Sequence, residues 1–181
     1  MERDEFWEIV DRTSRADGLD QLDALREELD RLPWYEVVAF QTRFLEATRG
    51  AQTYDLFAAA NLINGPCSTE GFRDFRVWLV GRGRRVYEAA VANPDSLADV
   101  LDGDAVDGFG LAGVAVRAYE TKTGMSDFLQ RVEGVQQELP GAPPVPPVPA
   151  GTNWDFNDPA ALRERLPGLC DLYLIPPEEA R

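Results

Sequence analysis

The residues with the most chemistry to offer lie between Asn61 and Glu88. Cys67 is a thiol and Glu70 a carboxylate. Arg73, Arg76, Arg82, Arg84 and Arg85 stand against the single Asp74 within positions 71–87, a local net charge of +4. A guanidinium grips a carboxylate or phosphate with two parallel donors, so this stretch could receive a small anion or an acidic segment of a partner. The plainer reading is solvated arginines that balance an acidic surface. Cys67 stands just before a helix start, where the dipole can lower a thiol pKa. The plainer reading there is a small residue tucked into a turn. The chain has no histidine. That removes Ser–His and Cys–His dyads, histidine metal sites and the usual acid–base group of neutral pH. No catalytic set is recognisable, and no cofactor or metal is expected.

The elements around these residues decide how they point. Gly65-Pro66 breaks the chain, and Ser68 is a good N-cap because its hydroxyl can accept from a free N–H of the next turn. Phe72, Phe75 and Leu79 then recur at helical spacing and mark a buried face. On a wheel of about 100° per residue Arg76 falls beside Phe72, at the edge of the core. A buried charge needs a partner, and the expected partner is Asp55, with Glu70 next. Asp55 lies in the first turn of a helix, Tyr54 to Ile63, that is apolar nearly all round and carries three consecutive alanines, Ala58 to Ala60. The Arg76–Asp55 pair reads as a fold-specifying salt bridge or, alternatively, as the wall of an anion pocket.

The rest of the sequence reads as further helices. Asp4 can cap a first one, with Phe6, Ile9 and Val10 inward. Leu22, Leu25, Leu29 and Leu32 make a second, with charges outward. Pro33 opens a third that carries Trp34, Val37, Val38, Phe44 and Leu45. Asn93-Pro94 opens a short piece, and Gly108 to Thr123 forms a helix that Gly124 stops. Ser126 to Leu139 is either a helix or a covering loop. Six prolines between Pro140 and Pro149 imply extended, polyproline-like chain. Asp158-Pro159 opens a short helix, and Leu169, Leu172, Tyr173, Leu174 and Ile175 dock back as an apolar anchor. Trp7, Trp34 and Trp78 fall in apolar phase and read as core. Trp154 either pins the proline arm to the body or faces a partner. Asp102, Asp104 and Asp107 resemble a calcium loop only superficially, because Gly113 stands where the twelfth-position glutamate belongs. The fold class is mainly α: one helical bundle with a core over 1–139, a Pro-rich arm over 140–157 and a C-terminal helical anchor over 158–181.

Several fixed-spacing motifs resemble the bacterial family known as domain of unknown function 4240. The opening Phe6-Trp7-Glu8-Ile9-Val10 matches its Phe-Trp-x-Ile-Ile. Gly65, Cys67, Ser68, Phe72, Phe75, Arg76, Trp78 and Leu79 match its Gly-Gly-Cys-Ser-Asp-Asp-x-Phe-x-x-Phe-Arg-x-Trp-Leu. Asn93-Pro94-Asp95-Ser96-Leu97 is similar to its Asp-Pro-Asp-Ser-Leu, and Ala118-Tyr119-Glu120 with Thr123-Gly124 to a later signature. Pro66 replaces a glycine, and Thr69-Glu70 replaces an acidic pair. The resemblance supplies no activity. Some relatives look like modules joined to a small DNA-associated domain, which implies regulation by analogy.

The 181 residues suit one domain with a substantial interior. The net charge of −14 argues against nucleic acid and anionic membranes as partners and favours a basic one. Seventeen of the eighteen basic residues are arginine, as GC-rich coding also produces. Two cysteines make neither a disulfide framework nor a zinc set. The acidic N-terminus lacks the apolar stretch of a signal peptide, and no apolar run reaches the ~18 residues of a membrane span, so a cytoplasmic protein is expected. Three functions fit: an interaction or regulatory module using Arg73, Arg82 and Arg85; a binder or enzyme holding a small anion with Arg76 near Glu70 and Cys67; or an immunity-like inhibitor whose acidic surface neutralises a basic toxin.

Overall fold

A computed structural model describes residues 1–14, 18–108, 110–138 and 148–174. Among them are ten α-helices, one 3-10 helix and a single isolated β-bridge. The mainly α reading holds.

Helix α1 (Arg3–Thr13) starts earlier than Asp4 would place it. Glu2 is the N-cap, and its N–H donates to Glu5 Oε2 at 2.7 Å in a reciprocal capping box. Asp4 is left in the first turn, free to meet Arg84. Helix α2 (Gly18–Arg31) buries Leu25 and Leu29 and half-buries Leu22. Pro33, the N-cap of α3 (Trp34–Gly50), stands one place outside the first turn. In α4 (Tyr54–Asn64) Leu56 and Ala58 to Ala60 are completely buried, and Thr53 caps the helix by accepting from Leu56 N at 3.2 Å.

Helix α5 (Thr69–Gly81) is capped by Ser68 as its sequence implies, the hydroxyl accepting from Gly71 N at 3.1 Å. Helix α6 (Arg84–Ala92) has no cap of its own. Asp11 on α1 supplies one, accepting from Arg84 N at 2.7 Å. Gly83 must be glycine there: its φ is +90°, and a Cβ would come within 2.6 Å of Asp11 Oδ1. The 3-10 turn Pro94–Asp99 follows, capped by Asn93. Helix α7 (Leu111–Thr123) ends at Gly124 in the left-handed region. The stretch read as helix or loop is a helix, α8 (Phe128–Glu138), with Phe128 and Val132 buried. Then come α9 (Pro159–Arg165), capped by Asp158, and α10 (Pro167–Tyr173). Asp95 of the 3-10 turn caps α10, accepting from Gly168 N at 3.1 Å and Leu169 N at 2.9 Å.

The hub is α3, although α4 is the helix that is apolar nearly all round. α3 is the longest helix and packs on α1, α5, α7 and α8, whereas α4 packs on α5, α10 and the 3-10 turn. The C-terminal segment does dock back: Leu169 and Cys170 are buried against α4 and the 3-10 turn. Leu172 is exposed, so it is no part of the anchor, and Ile175 lies outside the described residues. So do residues 139–147, which include most of the proline-rich stretch from Pro140 to Pro149. The chain reappears beside α4, where Ala150 N donates to Gln52 O at 2.8 Å and Tyr54 N to Ala150 O at 3.0 Å.

Of the tryptophans read as core, Trp7 is buried and Trp78 half-buried. Trp34 is not core: it is 40% exposed. It is the first residue of α3, and its contacts leave part of the ring open to solvent. Its ring meets Tyr119 edge-on at 6.1 Å, and the Arg131 guanidinium lies 5.0 Å above it. Tyr119 Oη donates to Asp127 Oδ1 at 2.6 Å and accepts from Arg131 Nε at 2.9 Å, which clamps α8 to α7.

Candidate functional site

Arg76 is buried as the wheel implies, at 8% exposure, but its partner is not a carboxylate. Nε donates to Phe72 O at 3.3 Å, one turn back. Nη1 donates to Thr48 O at 3.1 Å and to Gln52 Oε1 at 3.1 Å. The guanidinium also lies 4.8 Å over the Phe72 ring. Thr48 lies in the last turn of α3 and Gln52 just beyond its C-cap, where unpaired carbonyls and the negative end of the helix dipole favour a cation. A helix end therefore does the work assigned to Asp55. Burial, and secondarily the charge of Arg73, lower the Arg76 pKa below the ordinary arginine value. An arginine so placed still keeps its proton.

Asp55 faces outward instead. Its Oδ1 accepts from Trp154 Nε1 at 2.7 Å and lies 3.5 Å from Arg165 Nη1. Arg165 in turn covers the Trp154 ring at 4.8 Å, and Phe156 meets Phe57 at 5.3 Å. Trp154 thus pins the segment after the proline stretch to α4. The carboxylate that a core cation called for is spent on this surface clasp, because Asp55 itself stands on the exposed side of α4 while its neighbours Leu56 and Phe57 turn inward.

Cys67 is half-buried in the turn before α5, its N–H donating to Asn61 Oδ1 at 2.9 Å. Burial first, and the charge of Asp74 second, push its pKa up. Whatever the start of α5 contributes, the sum is a suppressed thiol and not an activated one. Gly71 packs on it: a Cβ there would approach Sγ to 3.0 Å.

The remaining arginines scatter. Arg73 is exposed and lies 3.6 Å from the neighbouring Asp74. Arg84 is engaged by Asp4 at 2.7 Å and Glu88 at 2.9 Å. Arg82 is half-buried at the C-cap of α5, and Arg85 is exposed on α6. Glu70 is exposed in the first turn of α5. So Arg76 lies close enough to Arg73 to feel its charge, and Asp55 is engaged elsewhere, by Trp154 and Arg165. Among the described residues no group of three His, Cys, Asp or Glu side chains is arranged to hold a metal ion. In the acidic turn Asp102 Oδ1 accepts from its own neighbour, Asp104 N, at 3.4 Å.

Thr48 and Gln52, the acceptors of Arg76, are absent from the list of residues that the sequence singles out. Thr48 accepts through its backbone carbonyl, which its residue type does not announce; only the Gln52 side chain could have been a signal. Among the described residues no helix is long and apolar enough to cross a membrane. No curated protein and no solved structure matches the chain. The family described as "Protein of unknown function (DUF4240)" matches residues 1–121. That span includes the Arg76 cage, the Cys67 turn and the α1 opening, and the chain belongs to this family.

Proposed function

We propose that this protein is a non-enzymatic interaction module that holds an acidic segment of a protein partner against α5 and α6. The observation that supports this reading is how the reactive candidates are used. Cys67 is suppressed, Asp55 clasps Trp154, and Arg76 is held by two backbone carbonyls and the Gln52 amide oxygen. The cations that α5 and α6 offer to solvent are Arg73 and Arg85, interleaved with the exposed carboxylates Glu70, Asp74 and Glu88. Such a surface steers and orients an acidic partner more than it adds affinity. Reversing Arg73, Arg82 and Arg85 to glutamate should abolish capture of the partner from lysate while leaving the helical circular dichroism intact. Undiminished capture would refute the reading. Loss of capture on neutralising the acids of α1 and α2 instead would favour an inhibitor of a basic protein.

A second reading, a binder of a small anion, has one observation in its favour. Arg76 is a buried cation with no carboxylate beside it among the described residues, and its Nη2 donates to none of them. Phosphate or a sugar phosphate should then raise the melting temperature of the native protein and not of R76M.

A further inference from the structure

We propose that Asn64 is a site of spontaneous deamidation, and that its conversion to an acid loosens the acidic turn around Val106. This site is separate from the arginines of α5 and α6. Asn64-Gly65 is the one Asn-Gly pair in the chain. Asn64 is the last residue of α4 and is exposed.

The nucleophile of such a reaction is the backbone nitrogen of the following residue. Every other α-helix with a described C-cap has its cap N–H bonded to a carbonyl of the same helix, as Ser14 N is to Val10 O and Gly124 N to Glu120 O. Gly65, the C-cap of α4, donates to no described residue. Its φ is +75°, and a Cβ there would meet nothing within 4 Å, so the space beside this nitrogen is open. The electrophile is Cγ of Asn64, in an amide held from both ends. Nδ2 donates to Val106 O at 2.9 Å, and Oδ1 accepts from Val106 N at 2.9 Å. The donor on Oδ1 polarises the carbonyl and stabilises the charge that builds on this oxygen when Cγ is attacked.

The only co-reactant is water. Gly65 N loses its proton and bonds to Cγ. The Cγ–Nδ2 bond breaks, and the nitrogen takes up a proton and leaves as ammonia. Water then opens the five-membered imide. Cleavage at Cγ gives aspartate, and cleavage at the main-chain carbonyl of residue 64 gives isoaspartate. Nothing is oxidised or reduced. Because the attacking nitrogen must be deprotonated, the rate rises with pH.

The product differs from the amide by one lost donor and one gained charge. A carboxylate only accepts. It would face Val106 O with no hydrogen between them, so an attraction becomes a repulsion. The new charge also joins Asp102, Asp104 and Asp107 of the same turn. Residues 101–107 form no helix or strand of their own. Tyr173 Oη still donates to Asp104 O at 2.7 Å, so the loosening centres on 105–107.

The test is to age the full chain at neutral and mildly alkaline pH and follow each asparagine by peptide mass spectrometry. The exposed Asn153 and Asn157 are internal references. Asn64 should convert at least about tenfold faster than either, and faster as pH rises. N64Q, whose ring closure would need six members, should show no comparable gain at that position. In N64D, hydrogen exchange at 105–107 should quicken while α3 keeps its protection. Two results would overturn the proposal: conversion of Asn64 no faster than that of Asn153, or an acid form whose exchange at 105–107 matches the fresh protein. Should N64D fail to fold, the aged wild-type chain, separated by anion exchange, supplies the acid form for the same measurement.

Discussion

Arg76 shows how a buried cation can be accommodated without an anion. Carbonyls at the end of α3 and the face of Phe72 replace the counter-charge. Removing the guanidinium leaves Thr48 O and the Gln52 amide oxygen facing an apolar side chain. R76M should therefore destabilise the protein by about 1–3 kcal/mol in urea unfolding. D55N, at an exposed clasp, should cost less than about 1 kcal/mol. The double mutant should be additive within about 0.5 kcal/mol; a larger coupling would mean the two side chains do meet. Cys67 carries a second expectation at this scale. Its pKa is raised, so less thiolate is present at neutral pH than for a free cysteine. In a C170S background, alkylation should climb with pH and reach half its limiting rate above the ordinary thiol pKa. A half-maximum below that value would contradict the burial argument.

Secondary structure was largely legible from local pattern, because caps and apolar spacing act within a few residues. Ser68, Thr53, Asn93, Asp158 and Gly124 all do what their types imply. What stayed hidden was long-range. Asp11 caps α6 and Asp95 caps α10 across 73 residues in each case, and no local signal announces that. Two of Arg76's three acceptors, Phe72 O and Thr48 O, were hidden because backbone carbonyls carry no residue identity. Trp34 misled because helical phase says which way a side chain points, not whether a neighbour is there to cover it. Gly108 is a further contact between elements. A Cβ at this buried position would strike the Asp74 carbonyl and come within 2.7 Å of Trp78 N, both backbone atoms of α5. G108A should therefore cost about 1–3 kcal/mol by overpacking, read as a lower melting temperature with unchanged helix content.

At the scale of the molecule, charge and packing are distributed differently. The acidic excess is spread over the surface, while the interior is one continuous cluster from Phe6 to Cys170. The family's shared region stops at residue 121, within α7, yet the cluster continues well past it. Phe128 and Val132 cover α3 and Tyr119, and Leu162, Leu166 and Leu169 are almost completely shielded. A homology boundary is therefore no seam in this protein. A chain cut after residue 121 would carry an open hydrophobic flank, bind the dye ANS and clump, where the intact chain should not. Any protein that shared only residues 1–121 of this chain would need some other stretch of polypeptide to close that flank.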